Sequence, residues 1–202
     1  VKEFNIVLAG VGGQGTLLAA EIIGAAAVSE GLNVRVSEIH GMAQRGGAVA
    51  SNVRMGDAVF AATVLEGQAD VLVGFELLET VRNLKYASEK TLVIMSSEAV
   101  PTADFAAKGL EYLSVEDVLA KVHLFTRKTI VVEAGKLAKE AGSRIAQNSV
   151  LLGTLAAVEE FPVKAESVLA ALKELVPRKH VNMNVRAFEL GRECVREQNA
   201  RA

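Results

Sequence analysis

The chain is poor in the residues on which several chemistries depend. It has one cysteine, Cys194, in 202 residues. A single thiol cannot close an internal disulfide, complete a thiolate zinc site or ligate an iron–sulfur cluster, and it suits a reducing cytoplasm. Aromatic residues make up 4% of the chain, although half of it is hydrophobic. The core must therefore be built from Ala, Val, Leu and Ile, which favours helices packed closely on a sheet over an aromatic-rich sandwich. No excess of one charge exists: 22 basic residues face 24 acidic ones, for a net charge of −2. Bulk electrostatics thus direct the chain neither to nucleic acid nor to an anionic membrane. The longest apolar run, Leu17 to Val28, is broken by Glu21 and falls short of the roughly 20 residues that span a bilayer. The amino-terminal residues read directly into a strand, so no signal peptide is expected. Tandem repeats, low-complexity tracts and Pro/Ser-rich linkers are missing, as is G-x-S-x-G. The three histidines, His40, His123 and His180, are scattered without ligand spacing, which argues against a metal site.

What is present reads as alternating strands and helices. Phe4 to Ala9 is a short apolar run ended by glycine, a buried strand. Thr16 to Ser29 is rich in small helix formers and stops at Gly31, and Leu32 to Ser37 alternates like a second strand. These form a strand–helix–strand unit, expected to be a right-handed parallel crossover. Ala48 to Met55 and Val59 to Val64, with Gly56-Asp57 between them, are expected to make an antiparallel excursion. Val71 to Phe75, Thr91 to Met95 and Thr129 to Val132 suit central strands, separated by helices at Glu76 to Tyr86, Val115 to Lys121 and Glu133 to Ala141. After Gln147 the sequence is helical, divided into three helices by Pro162 and Pro177. The expectation is a single α/β domain over residues 1–202: three-layer, Rossmann-like, a mostly parallel sheet with helices on both faces and a helical C-terminal section from about 147 to 202.

Between the first strand and helix, Gly10, Gly12 and Gly15 satisfy G-x-G-x-x-G. Missing side chains let backbone turn tightly and approach a ligand, and the helix N-terminus offers free N–H groups and partial positive charge. Glu38 stands about where a dinucleotide fold places its ribose-binding acid. The same residues also read as a Walker loop whose lysine is replaced: Gln14 and Thr16 cannot neutralise phosphate, which argues against ATP or GTP hydrolysis. A tight strand-to-helix turn needs glycine with or without a ligand, so nucleotide binding and plain turn geometry both stay open.

A second unusual segment, Glu38-Ile39-His40-Gly41-Met42-Ala43-Gln44-Arg45-Gly46-Gly47, follows the second strand. It is expected at the carboxyl edge of the sheet, where open α/β folds bind ligands. Arg45 beside Gly46 and Gly47 offers a guanidinium fork to phosphate or carboxylate; the alternative is a solvated surface loop. Other residues are weaker candidates. His123 reads as partly buried and structural, and Cys194 as a packing residue. Glu76, Glu79 and Arg82 read as a solvated or interface helix face, and Asn148, Asn182 and Asn184 as helix caps.

The phrases GVGGQGTLLAAEIIGAAA and HGMAQRGGAVASNVR together resemble the small, gamma-type subunit of the 2-oxoacid:ferredoxin oxidoreductases. The longer MAQRGG form with its preceding His-Gly points to the indolepyruvate branch. Weaker likeness runs on through GQADVLVGFELLETVRNL and AQNSVLLGTLAAVEEFPV to NMNVRAFELGRE, covering nearly the whole chain. The resemblance implies oxidative decarboxylation of a 2-oxoacid on thiamine diphosphate, with electrons passing through iron–sulfur clusters to ferredoxin and the acyl group to coenzyme A. In the indolepyruvate branch the substrates are aryl pyruvates. The chain itself lacks the means: Gly56-Asp57-Ala58 fails the Gly-Asp-Gly of thiamine sites, and one cysteine holds no cluster. The expectation is a cytoplasmic subunit with no cofactor of its own and inactive alone. A large partner would carry thiamine diphosphate and clusters; a homodimer of the isolated chain stays possible. Gly10, Gly12, Gly13, Gln14, Gly15, Thr16, Glu38, His40, Gln44, Arg45, Gly46 and Gly47 form the expected ligand or interface loops. Gly12, Gly13, Gln14 and Gly15 would supply backbone donors and Arg45 an anion contact, or the loops would only seat the partner. A gamma subunit for pyruvate or another 2-oxoacid, a free-standing NAD-binding oxidoreductase and a nucleotide-binding regulatory module are the alternatives.

Overall fold

A computed structural model describes residues 2–41, 46–101 and 111–201. Six strands form one sheet in the order β2-β3-β1-β4-β5-β6: β1 Phe4–Val11, β2 Asn33–His40, β3 Ala48–Gly56, β4 Val71–Gly74, β5 Leu92–Ser96 and β6 Thr129–Val132. β1, β4, β5 and β6 pair in parallel, whereas β3 runs antiparallel to both β1 and β2. The described helices are α1 Thr16–Ser29, α2 Leu77–Arg82, α3 Val115–Val122, α4 Ala134–Ala141, α5 Gln147–Ala156, α6 Ala165–Leu175 and α7 Val181–Arg201.

The layers follow from which residues each element can bury. One apolar cluster joins Ile6, Leu8, Val53 and Val73 of the sheet to α1 and the helices α4 to α7. The other joins Val7, Ala9, Leu72 and Val93 to α2, α3 and the segment before β4. Alternate residues of β1 thus serve opposite faces, as the two-residue period of a strand requires. Helix α1 is buried along most of its length by small residues such as Ala19, Ala20, Ala26 and Ala27, which let it lie close between the sheet and α6. Its end is a Schellman turn: Gly31 takes φ 82°, with Gly31 N–H donating to Val28 C=O at 3.0 Å and Leu32 N–H to Ala27 C=O at 3.1 Å.

Two expectations need correction. The β1–α1–β2 unit runs parallel as expected, but β3 is inserted between its two strands, so they do not pair. Residues 59–64 do not form a strand. Val59 and Val64 are buried on the sheet, while the carbonyls that would join a ladder are taken by side chains. Arg54 Nη1 donates to Ala61 O at 3.0 Å and to Thr63 O at 3.2 Å, and Ser37 Oγ to Ala62 O at 3.1 Å. The antiparallel element is β3 itself.

Helices α5 and α7 cross with glycine on both sides. A Cβ on Gly153 would fall on the Phe188 carbonyl oxygen, and one on Gly191 on the Val150 carbonyl oxygen. Buried Ser149 donates to Asn184 Oδ1 at 2.6 Å across the same contact. Overpacking of this kind costs roughly 1–3 kcal/mol. Gly153→Ala is therefore expected to lower the thermal midpoint by about 5 °C, read by calorimetry, given roughly 2–4 °C per kcal/mol at this size; an unchanged midpoint would mean that the helices separate freely.

Candidate functional site

The turn after β1 is fixed by its own side chain. Gln14 Oε1 accepts from Val11 N–H at 2.8 Å, and Gln14 Nε2 donates to the Phe75 carbonyl, just past β4, at 3.2 Å. Gly10 is glycine because a Cβ there would sit 2.7 Å from Gln14 Oε1 and 2.9 Å from Phe75 Cβ. Gly15 combines φ 78° with Asn148 Nδ2 2.8 Å from where its Cβ would be. Gly13 differs: its φ is 102° and the space beside it is open. Two of these glycines thus answer to packing, and Gly13 alone leaves backbone bare.

The second motif meets the first. Gly12 N–H donates to Gly47 O at 2.8 Å and Gly46 N–H donates to Gly12 O at 3.3 Å. This clasp joins the loop before β3 to the turn after β1. With Gln14 N–H directed to Val11 O at 3.1 Å, the N–H groups of Gly12 and Gln14 are both engaged inside the protein. Gln44 and Arg45 lie outside the described residues.

On the β2 side the turn opens into a cleft of about 480 Å³, lined by Gly12, Gly13, Gly15, Thr16, Glu38 and His40 together with Leu17, Leu18, Glu21 and Val49. Six of the expected site residues thus share one space. Val34 and Val36 lie under Gly24 of α1, so Glu38 and His40, two and four positions on, share that face of β2 and project past the start of α1. His40 Nδ1 stands 3.7 Å from Glu38 Oε2, a distant and partly exposed pair. Among the described residues the charged lining is Glu21, Glu38 and His40. Two carboxylates oppose the positive end of the α1 dipole, so these side chains do not by themselves form an anion cradle.

On the β4 side the turn is bracketed by side-chain amides. The crevice between β1 and β4 is where an open α/β sheet ordinarily admits a dinucleotide. Here Phe75 N–H donates to Ala9 O at 2.7 Å, and Gln147 Nε2, at the start of α5, donates to the Phe75 carbonyl at 2.9 Å. Asn148 covers Gly15. The helical section packs against this side of the turn, and the larger cleft lies on its other flank.

Several weaker expectations change. Glu76 and Glu79 are not on a solvated face: both are buried, at 0% and 2% exposure. Glu76 caps α2, with Oε2 accepting from Glu79 N–H at 3.0 Å, while Oε1 accepts from Val100 N–H at 3.2 Å and from Tyr112 Oη–H at 2.7 Å. The signal that reveals this cap is an acid two residues past a strand and directly before a short helix. Burial, then the hydrogen bond to Glu76, pushes the Tyr112 phenol above its usual range. Asn148 and Asn184 lie inside helices, and Asn184 Nδ2 donates to His180 O at 2.9 Å; Asn182 also lies within α7. His123 is exposed at the end of α3. Cys194 is half-buried on α7, burial raises its thiol pKa, and Gln198 Nε2 lies 3.4 Å from its sulfur. Gly56-Asp57-Ala58 lies at the sheet edge opposite the glycine turn.

An open α/β sheet with a helical C-terminal section packed beside its glycine turn, and a second glycine loop clasped to that turn, is the arrangement the residues build. The family described as pyruvate ferredoxin/flavodoxin oxidoreductase matches residues 5–194, and the chain belongs to it. It is similar to the indolepyruvate oxidoreductase subunit IorB of Pyrococcus horikoshii, 42% identical over 198 residues that cover 98% of each chain. The protein of the same name from Thermococcus kodakarensis is 40% identical over 199 residues, again 98% of each. Among solved structures it resembles the gamma subunit of a keto/oxoacid ferredoxin oxidoreductase from Geobacter sulfurreducens. That likeness has a TM-score of 0.69 at 25% identity and covers 96% of this chain and 99% of that one. The gamma-type resemblance carried by the two glycine motifs is thereby established.

Two outcomes follow. Gln14→Ala removes the acceptor of Val11 N–H and one donor to Phe75; at roughly 1–3 kcal/mol per buried group left unpaired, faster amide exchange at Val11 is expected, and unaltered exchange would show that the bracket is dispensable. Burial, only partly offset by Arg82, raises the Glu79 pKa above its ordinary 4.5. The folded state then holds this proton to higher pH than the unfolded chain. Stability from this group is greatest below about pH 4.5 and falls as pH rises through the raised value. Glu79→Gln, neutral throughout, should gain on the wild type in thermal midpoint between pH 4.5 and 7; parallel curves would contradict the shift.

Proposed function

We propose that this chain is the small, cofactor-free subunit of a thiamine-diphosphate- and iron–sulfur-dependent 2-oxoacid:ferredoxin oxidoreductase acting on indolepyruvate and other aryl pyruvates. The observation that carries the reading is the likeness, over nearly the full length of both chains, to proteins named as indolepyruvate oxidoreductase subunits. The residues present do not fit the cofactors. Cys194 stands as the chain's one thiol, half-buried on a helix, and no Gly-Asp-Gly faces the cleft. A large partner subunit holds thiamine diphosphate and the clusters, and through it the complex reaches ferredoxin; coenzyme A accepts the acyl group. Residues 1–202 act as one domain. No described helix is long and apolar enough to cross a membrane, and we assign the complex to the cytoplasm.

The contribution of this chain is a shaped edge. Gly13 leaves main chain bare beside the cleft, the Gly12–Gly47 clasp holds the second loop against it, and Arg45 carries the positive charge that Glu21 and Glu38 do not. Facing the partner's active centre, this edge positions a substrate carboxylate or a coenzyme A phosphate, while Thr16, Glu38 and His40 shape the cleft around it.

Reconstitution with the large subunit tests the reading. The isolated chain should reduce no electron acceptor, whereas the complex should oxidise aryl pyruvates with kcat/KM at least about tenfold above that for pyruvate, a difference of roughly 1.4 kcal/mol. Arg45→Ala in the assembled complex should raise the KM for coenzyme A or the 2-oxoacid by about tenfold or more, the worth of one charge-assisted hydrogen bond. Unchanged kinetics with intact assembly would remove the anion contact, and turnover by the isolated chain would remove the whole proposal.

A further inference from the structure

The two edges of the sheet are finished differently. At one, β6 is four residues long, and Gln198 Nε2 from α7 donates to Val131 O at 2.9 Å, which covers main chain at that edge. At the other, β2 is eight residues long and pairs with β3 without a bulge from Asn33 to His40. It contains no proline and no lysine. Shortness, bulges, proline and lysine are the devices by which an edge strand is kept from pairing further, and β2 has none of them. Gly41 N–H donates to Ala48 O at 3.2 Å, which continues the ladder. The odd-numbered residues of β2 are therefore the ones hydrogen-bonded to β3, and the N–H and C=O groups of Val34, Val36 and Glu38 point away from the sheet. Arg35 Nη1 donates to Val34 O at 2.9 Å and covers one of these carbonyls. Among the described residues no strand lies beyond β2.

Apolar side chains flank this open main chain. Leu17 and Glu21 of α1 line the cleft together with Glu38 and His40, so that face of the helix looks toward the β2 edge. Leu17, Glu21, Ala25 and Val28 stand exposed along it at helical spacing. Val36 is exposed on the same side of the sheet, and Ile39 on the other.

We propose that β2 pairs antiparallel with β2 of a second copy of this chain, about a two-fold axis at Val36, so that two sheets become one. An identical edge matches this one in length, and its charges select the register. Centred on Val36, the pairing sets Glu38 of each copy opposite Val34 of the other and Arg35 opposite Ser37. Centring on Arg35 or Glu38 would oppose like charges, which destabilises a strand pair; centring on Ser37 would set the exposed Val36 against Glu38. Val36 is one of the residues whose main-chain groups point outward, so its N–H and C=O meet those of its counterpart. Gly24 of α1 lies over Val36 and Val34. The same axis therefore turns Leu17 of one helix toward Val28 of the other, and Glu21 toward Ala25. A two-fold contact of this kind uses one surface twice and closes on itself. The inference goes beyond the subunit reading and does not depend on it.

Sedimentation of the full chain alone tests the pairing. A species of twice 21.3 kDa is expected, with a dimer Kd of about 10 µM or lower. In the same samples the amides of Val36 and Glu38 should exchange at least about tenfold more slowly when concentrated than when dilute. Val36→Lys puts two like charges on the axis and should raise the dimer Kd by about 30-fold or more. Val28→Glu should raise it by about tenfold or more; because Val28 is exposed, the thermal midpoint of the dilute chain should not move. Leu124→Asp, 82% exposed just ahead of β6, should leave the Kd within about twofold. A chain that stays monomeric to about 100 µM would overturn the pairing. So would a dimer whose Val36 and Glu38 amides stay open, or one that both Val36→Lys and Val28→Glu leave at wild-type affinity. Protection of those amides only when the large subunit is added would assign the edge to that subunit and overturn self-pairing. None of these results bears on the subunit reading, which is judged by turnover of the reconstituted complex.

Discussion

The carbonyl of Phe75 is the point on which the rest of the molecule turns. It receives the side-chain amide of Gln14 from the loop after β1 and that of Gln147 from the start of α5. Three distant stretches of chain, one from the sheet, one from the glycine turn and one from the helical section, converge on a single acceptor with two lone pairs. A buried carbonyl that satisfies both donors fixes the mutual position of all three, since moving any one of them leaves a polar group unpaired in an apolar surround. The glycines at positions 10 and 15 follow from this convergence, because Gln14 and Asn148 take up the space that their side chains would need.

That constraint explains how a nucleotide-type turn comes to serve another purpose. In an open sheet the strand order reverses at one point and leaves a crevice there. The reversal is present here between β1 and β4, but amides from two elements fill the gap. The turn's accessible backbone is directed sideways instead, toward Glu38 and His40 on one flank and toward Ile145 and Met183 on the other. The bare main chain of Gly13 therefore stands between two recesses and can be reached from either side.

Much of this was legible in the sequence. Periodicity and punctuation located the helix Thr16–Ser29 and strand Thr129–Val132 at their observed limits, because each is bounded by residues with a single strong local preference. The three C-terminal helices were legible from their prolines. Local signals could not place β3 between β1 and β2, since strand order depends on pairing between distant segments. Residues 59–64 look like a strand because Val59 and Val64 must be buried, yet Arg54 and Ser37 take their carbonyls, and nothing local marks a side chain as a substitute for a neighbouring strand. For the site, the glycine pattern revealed where the chain turns but not that Gln14 brackets it. Glu76 read as surface because a carboxylate is ordinarily solvated; its burial depends on Val100 and Tyr112, which come from far along the chain.

The described ends of the connection between β2 and β3 are held through main-chain atoms: Gly41 N–H on Ala48 O, Gly46 N–H on Gly12 O and Gly12 N–H on Gly47 O. These three bonds depend on backbone geometry alone, so a substitution at Gly12 or Gly47 that keeps the local fold would keep the two motifs joined, whereas one that shifts the main chain would part them.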